Sequence, residues 1–294
     1  MHPLLHDLIV QILHGVFLLF GAVPRRRAAK LADVFGRLWY RLDARHRQVA
    51  LRNLAQAFGQ EKSSAERKSL ARKAFSNLMR IPFEIGWSMK WKEQDCLSYF
   101  DIEGKERIRA ARQKGRGLLI LTGHMGNWEL LPPMVLMLGV PATTTYRPLK
   151  FAPADTFFLQ LRSRFGSRMV PKKQAMRKIL RALQKEECVC MLFDQTSRRA
   201  TGAFVDFFGR KAWTNTGLAL LALKTEAPVL PAFVIRDGDR FRVEIGNEIP
   251  LVKSGSKARD VLENTRQYNK ALEQIIRRYP EQWFWVHNRW KERS

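Results

Sequence analysis

A chain of 294 residues with 46% hydrophobic content is long enough for one large domain or two small ones and too apolar to be disordered. Lys and Arg number 52 against 27 Asp and Glu, a formal charge of +25, so the surface seeks something acidic: nucleic acid, an anionic membrane or an acidic protein. Three cysteines, Cys96, Cys188 and Cys190, exclude a disulfide-stapled scaffold, and with no CxxC or HExxH spacing no metal centre is expected.

Residues 4–23 are mostly apolar, and about 20 residues suffice to cross a bilayer core. His6, Asp7, Gln11 and His14 interrupt the run, which makes it a marginal span or a helix lying in the interface. Without a small-residue cleavage site it reads as an uncleaved anchor rather than a signal peptide. Arg25, Arg26 and Arg27 follow at once and place the body of a spanning chain in the cytoplasm. From 28 to 92 the apolar residues recur at helical spacing, as in Leu31, Val34, Leu38 and Leu42, then Val49, Leu51, Leu54 and Phe58, which predicts helices with an amphipathic, membrane-facing side. Ser63-Ser64-Ala65-Glu66 has the form of a helix N-cap. The chain therefore divides into an anchor over 1–27, a helical cap over 28–99 and a core over 100–294.

In that core, strands are predicted at Leu118–Leu121, Ala142–Tyr146, Cys188–Phe193, Val229–Ile235 and Phe241–Ile245, with Asp237-Gly238 as a hairpin turn. Helices are predicted at Trp128–Leu138, Ala154–Phe165, Ala175–Lys185, Asn215–Lys224 and Ala258–Arg278. The alternation implies an α/β fold: a mixed, mostly parallel sheet flanked by helices, preceded by the N-terminal helical membrane-anchoring region. Sites in such sheets gather at the carboxyl ends of strands. His124, Arg147 and Asp194 each fall just past a predicted strand. Cys188 and Cys190 share one face of theirs and read as buried reduced thiols of a reducing compartment.

The stretch with most chemical content is GLLILTGHMGNWEL, residues 117–130. His124 ends the strand, Asn127 is a good N-cap, and Glu129 falls in the first helical turn, where the helix dipole favours a carboxylate. On this spacing Glu129 faces the imidazole and fixes its tautomer, the apparatus for taking a proton from a hydroxyl. A histidine that merely caps the strand is the alternative. The run from Arg162 to Lys185 holds nine cations and no acid (Arg162, Arg164, Arg168, Lys172, Lys173, Arg177, Lys178, Arg181 and Lys185). Most are surface, but one guanidinium can bind phosphate or polarise a carbonyl. Asp194 ends an apolar strand, to position a cation or hydroxyl or simply to make a turn. Phe204, Phe207, Phe208 and Trp213 beside Arg210 and Lys211 suit a fatty chain with a polar head, or ordinary core. The Trp-rich tail PEQWFWVHNRWK, residues 280–291, has the composition of a membrane-interface or anionic-ligand edge.

With these pieces in order, the chain resembles the bacterial lipid A biosynthesis acyltransferases of the lysophospholipid acyltransferase superfamily. The resemblance runs through RQVALRNLAQAF, GHMGNWE, TYRP, LRSRFG, LFDQ, FVDFFGRKAWTNTG, APVLPAF and PEQWFWVHNRWK. It implies a membrane-bound O-acyltransferase at the cytoplasmic side of a bacterial inner membrane. The acyl donor would be acyl carrier protein or acyl-CoA as co-substrate, with no other cofactor, and the acceptor a hydroxyl of a lipid A precursor. Carried onto this chain, it makes His124 the general base and Glu129 its orienting carboxylate. Arg164, or Arg162 two residues before it, would be the substrate arginine, with Asn127, Arg147, Asp194 and Arg210 as further substrate contacts. The mycobacterial phosphatidylinositol mannoside acyltransferases share the GHMGNWE wording but commonly carry Asp where Glu129 stands, so a glycolipid or phospholipid acceptor of that kind is the alternative. A membrane-associated nucleic-acid-binding protein is the remote alternative, and no helix-turn-helix, zinc-finger or RNP motif supports nucleic acid as a partner.

Overall fold

The structure is a computed structural model that describes residues 2–291 apart from 95, 140 and 174; Met1 and 292–294, the outermost residues of the expected anchor and core, lie outside the described residues. Four helices come first: α1 (Pro3–Phe20), α2 (Arg25–Leu42), α3 (Ala44–Phe58) and α4 (Ser64–Ser88). Ser63 begins α4 through a capping box, its hydroxyl accepting from the Glu66 N–H while the Glu66 carboxylate accepts from the Ser63 N–H. Then follow β1 (Phe100–Glu103), α5 (Lys105–Arg112), β2 (Leu118–Thr122), α6 (Val135–Leu138), β3 (Ala142–Tyr146), α7 (Ala152–Ser163), β4 (Arg168–Pro171), α8 (Ala175–Gln184) and β5 (Cys188–Leu192). The chain continues through β6 (Gly202–Phe207), β7 (Arg210–Asn215), α9 (Gly217–Thr225), β8 (Val229–Asp237), β9 (Arg240–Ile245) and α10 (Lys257–Arg278).

Seven strands form one sheet in the order β1-β9-β8-β2-β5-β3-β4, with β8–β9 the antiparallel pair and every other pairing parallel. The strand period of 2 explains why the central strands are apolar on both faces. Leu119 and Leu121 of β2 point into a core with Val189, Phe233 and residues of α8, α9 and α10. Leu118 and Ile120 point into a second core with Ile108, Leu130, Leu138 and Cys188. The register Thr122↔Leu192 between β2 and β5 makes the two strands end side by side.

Five elements of the core were not anticipated, the short helix α5 among them. β1 and β4 are short edge strands without a marked alternation, and β6 with β7 makes a separate hairpin where an aromatic wall was expected. The helix predicted from Trp128 to Leu138 is broken into 3₁₀ turns at Trp128–Leu130 and Pro132–Met134 before α6; Pro132 and Pro133 cannot donate to a continuing helix. The Trp-rich tail also differs from expectation. Trp283 and Trp285 are 1% and 0% exposed and pack edge-to-face in the core, so these rings face the protein interior rather than an interface.

α1 is a candidate membrane anchor. It is long and apolar enough to cross a bilayer by length and composition, and Leu4, Leu8, Ile12 and Leu19 point outward, with Leu4 75% exposed. Its inner side is fixed to α7 by His6 on Thr156 (3.1 Å), His14 on Gln160 (3.0 Å) and the stacked rings of Phe17 and Phe157 (4.8 Å). Against α4 the approach is backbone to backbone: a Cβ on Gly86 would stand 2.2 Å from the Phe17 carbonyl oxygen and 2.4 Å from the Gly21 nitrogen. Gly86→Val is therefore expected to push α1 off α4 at a cost of about 1–3 kcal/mol. Limited proteolysis should then cut at residues 21–24 well before the rest of the chain; unchanged protection and thermal stability would contradict this packing.

Candidate active site

β2 ends at Thr122 and the chain turns through Gly123 and His124 to Asn127. Gly126 permits the turn, with φ +53° and the Val234 carbonyl oxygen 2.2 Å from where a Cβ would be. The Trp-rich tail clamps the turn from the other side: Gly126 N–H donates to the Gln282 carbonyl (3.0 Å) and Phe284 N–H to the His124 carbonyl (3.1 Å). The tail thus takes the place of a neighbouring strand.

His124 and Asp194 each lie two residues past paired positions of β2 and β5, and they meet. His124 Nδ1 is 2.8 Å from Asp194 Oδ1, and the His124 backbone N–H donates to Asp194 Oδ2 at 2.9 Å. Trp283 Nε1–H donates to the same Oδ2 at 2.9 Å. Asp194 is 2% exposed, and burial alone would raise its pKa. The His124 charge and the bonds from His124 and Trp283 outweigh burial and hold the carboxyl at about 2. An ionised carboxylate can only accept, so Nδ1 carries a proton and Nε2 is the nitrogen turned away from Asp194. That nitrogen is 3.5 Å from the Gln195 side-chain amide. The ring is flanked by Trp128 and Phe284, at centroid distances of 4.9 and 5.6 Å, and its side chain is 16% exposed. The arrangement is a base with one nitrogen locked and the other accessible.

Glu129 was expected to be the orienting carboxylate; the structure gives that position to Asp194. Glu129 instead holds Arg162 in a bidentate pair, Nε to Oε2 at 2.7 Å and Nη2 to Oε1 at 2.6 Å, and accepts from Trp128 Nε1 at 3.0 Å. Its link to His124 thus runs through the Trp128 ring. The 3₁₀ turn is the reason: it points Glu129 toward α7 rather than back over the strand end. Burial lowers the Arg162 pKa, but the bonds and charge of Glu129 more than restore it, and the net shift is upward. Of the two candidate arginines, Arg162 is the one that pairs with Glu129. Arg164 donates to the Ser88 and Trp91 carbonyls at 2.9 Å each and ties α7 to the end of α4.

Asn127 is fully buried. Its side-chain oxygen accepts from the Glu129 N–H (3.1 Å) and its amide donates to Glu84 (2.9 Å), so it shapes the turn from behind. Arg147 is exposed at the carboxyl end of β3. Arg210 is exposed at the β6–β7 turn, the end of the hairpin opposite Gly202 and Asn215, and is not brought to His124. Cys188 is buried and its thiol is raised well above its ordinary range, first by its hydrogen bond with Cys190 and then by burial. No group of three or more His, Cys, Asp or Glu that could hold a metal occurs among the described residues. Trp283, Gln282, Glu84 and Arg236 were missed in the sequence. Glu84 in IPFEIGW and Arg236 in VLPAFVIRD are charges inside apolar runs, a signal of a buried pair.

A histidine locked by a buried carboxylate at the carboxyl end of a parallel sheet defines an α/β protein equipped to deprotonate a hydroxyl. The profile of the bacterial lipid A biosynthesis acyltransferases matches residues 4–292, and the chain belongs to that family; it is an acyltransferase. It is 29% identical over 284 residues to a lipid A biosynthesis lauroyltransferase and 27% identical over 282 residues to a lipid A biosynthesis palmitoleoyltransferase, both of Escherichia coli (strain K12), each alignment covering 95% of this chain and 90% of the relative. It is 24% identical over 247 residues, 81% of this chain and 78% of the relative, to a phosphatidylinositol mannoside acyltransferase of Mycolicibacterium smegmatis.

The Asp194 pKa gives a pH signature. A carboxyl at about 2 in the folded chain and about 3.9 unfolded stabilises the fold by about 2–3 kcal/mol once the pH is above the unfolded value, and that contribution fades as the pH falls toward 2. Asp194→Asn should thus be markedly less stable than wild type by denaturant unfolding at neutral pH, and the gap should narrow steadily between about pH 4 and pH 2. A gap independent of pH would contradict the ionised Asp194.

Proposed function

We propose that the protein transfers a fatty acyl chain from acyl carrier protein, or acyl-CoA, to a hydroxyl of a lipid A precursor at the cytoplasmic face of a bacterial inner membrane. The observation that carries this reading is the His124–Asp194 pair, with Nδ1 fixed and Nε2 presented. The acceptor hydroxyl loses its proton to Nε2 as its oxygen attacks the thioester carbonyl. The carbonyl electrons move onto oxygen, giving a tetrahedral oxyanion. The thiolate then leaves and takes the proton back from the imidazolium, whose charge Asp194 has balanced throughout. Arg162 is the side chain best placed to receive the oxyanion, because Glu129 holds its guanidinium rigidly in a largely desolvated position. In this scheme Glu129 acts through Arg162 and Trp128 rather than through the imidazole directly. Backbone N–H groups near Asn127 are the other candidate donors for the oxyanion.

The net charge of +25 suits all three acidic partners of such a reaction: the carrier protein, a phosphorylated glycolipid and the anionic membrane surface. α1 would anchor the enzyme, and Arg25, Arg26 and Arg27 at the start of α2 would keep the catalytic body on the cytoplasmic side. The family name supports a lipid A acceptor, and the mycobacterial relative keeps a phosphatidylinositol mannoside acceptor as the second reading.

Mass spectrometry of membrane lipids from cells with and without the active protein tests the assignment. The expected result is one added acyl chain on lipid A species; an added chain confined to phospholipids would overturn the acceptor. With purified protein, His124→Ala should lower turnover about 100- to 10,000-fold while the fold is kept, and wild-type-like turnover in that variant would end the mechanism. Glu129→Gln and Arg162→Lys should each lower kcat by about 100-fold or more with a smaller change in KM, since both act on the oxyanion. An effect on KM alone would remove Arg162 from that role.

A further inference from the structure

A cleft behind the turn gathers more positive charge than it neutralises. It is lined by Arg25 and the first turns of α2, by Arg80, Glu84 and Trp87 of α4, and by Arg236, Asp239 and Arg240 at the β8–β9 turn, four arginines against two acids. Glu84 is committed: its carboxylate takes Arg236 Nε and Nη2, the latter at 2.7 Å, and Asn127 Nδ2 at 2.9 Å. The Arg236 side chain is only 5% exposed, yet its third nitrogen, Nη1, is buried and has no hydrogen-bond partner among the described residues. Arg80 Nε in the same wall is likewise buried and unpartnered. Two orphaned guanidinium donors are costly when buried, and both residues line the one cleft. Arg240 is bound at its outer edge to Asp101 (3.0 Å), and Arg25 donates to the Asp239 carbonyl while lying over the Trp87 ring. The cleft also meets the start of α2, whose first turn holds no acid and whose N-cap Pro24 makes no side-chain cap bond, so the helix dipole adds to the positive potential.

We propose that this cleft binds a phosphate group, and that the group belongs to the headgroup of a membrane lipid. Fork-shaped guanidinium donors and a helix N-terminus match a phosphate better than a carboxylate or halide. The lipid source follows from position. The outward apolar face of α1 ends at Leu19, and six residues later Arg25 is already in the cleft wall. The connection between them is pinned by Lys90 on the Gly21 carbonyl and Trp87 on the Val23 carbonyl, both at 3.0 Å. The cleft therefore lies where the anchor leaves the hydrocarbon, at headgroup depth. This placement rests on the reading of α1 as the anchor. The cleft is connected to the catalytic turn: Arg236 holds Glu84, Glu84 holds Asn127, and Asn127 caps the turn that carries Glu129. A phosphate in the cleft would order that chain from behind.

The test uses the full chain in neutral detergent and measures binding of dihexanoyl phosphatidic acid, inorganic phosphate and dihexanoyl phosphatidylcholine. Phosphatidic acid should bind at least tenfold more tightly than either, and Arg80→Gln should weaken it at least tenfold. Arg181→Gln, which removes the same charge from the exposed face of α8, should leave it unchanged, and Arg25→Gln serves if Arg80→Gln does not fold. Equal affinity in the Arg80 and Arg181 variants would overturn the site. Inorganic phosphate binding as tightly as phosphatidic acid would overturn the lipid source. Acyl transfer measured on the same preparations separates the two readings: phosphatidic acid binding that depends on Arg80, without any acyl transfer, would remove the catalytic proposal and leave this one standing.

Discussion

The arrangement around Asp194 is the constraint on which the rest depends. One carboxylate accepts from the His124 ring, from the His124 backbone and from the Trp283 indole. It therefore joins the ends of two parallel strands to the C-terminal segment. A buried ion of this kind is stable only if every lone pair is used, so all three donors must be in place at once. The sheet sets the spacing of β2 and β5, and α10 delivers Trp283. The imidazole is then left with one orientation. The precision of the site is a consequence of what it costs to bury Asp194.

A second layer of buried charge supports the first. Glu84 with Arg236, and Glu129 with Arg162, are both bidentate carboxylate–guanidinium pairs. They flank the Asn127 turn on opposite sides, one toward α4 and β8, the other toward α7. Such pairs contribute little net stability against an apolar replacement but fix geometry closely. Placing them around a turn that also carries Gly126 at positive φ trades stability for a defined shape. The tail makes the same point. Its tryptophans have the composition of an interfacial belt, but Trp283 and Trp285 fill the core beneath the site, and their N–H groups serve Asp194 and the Pro280 carbonyl.

The acyl-transfer proposal and the phosphate cleft describe two faces of one end of the molecule, the end that carries the candidate anchor α1. α1 and α2 present apolar residues outward, and Arg25, the first of the arginines that follow α1, lies over Trp87 of α4. Helices that lie apart in the sequence are brought within backbone contact by glycines: Gly21 against Gly86, and Gly36 against Ser76. Side chains at those positions would hold α1 and α2 away from the body and open the cleft.

Much of this was legible in the sequence, because some patterns are local. The short continuous apolar runs LLIL and CVCML located the central strands, the Ser63–Glu66 box located α4, and the Gly-flanked histidine after a strand marked the site. The family followed from motif order. Which carboxylate serves His124 was not local. Glu129 is five residues away and Asp194 is 70 residues away, yet strand adjacency and the register Thr122↔Leu192 put the distant residue in contact, while a 3₁₀ turn aimed the near one elsewhere. The choice between Arg162 and Arg164 was likewise a matter of helix phase: Arg162 in the last turn of α7 and Arg164 capping its end are two residues apart and point about 200° apart, one to Glu129 and one to the end of α4. The sequence by itself determined which residue types could do the chemistry and which strand ends would carry them. Only the tertiary structure decided which of them meet, because sheet order and helix phase are set by packing that no single segment encodes.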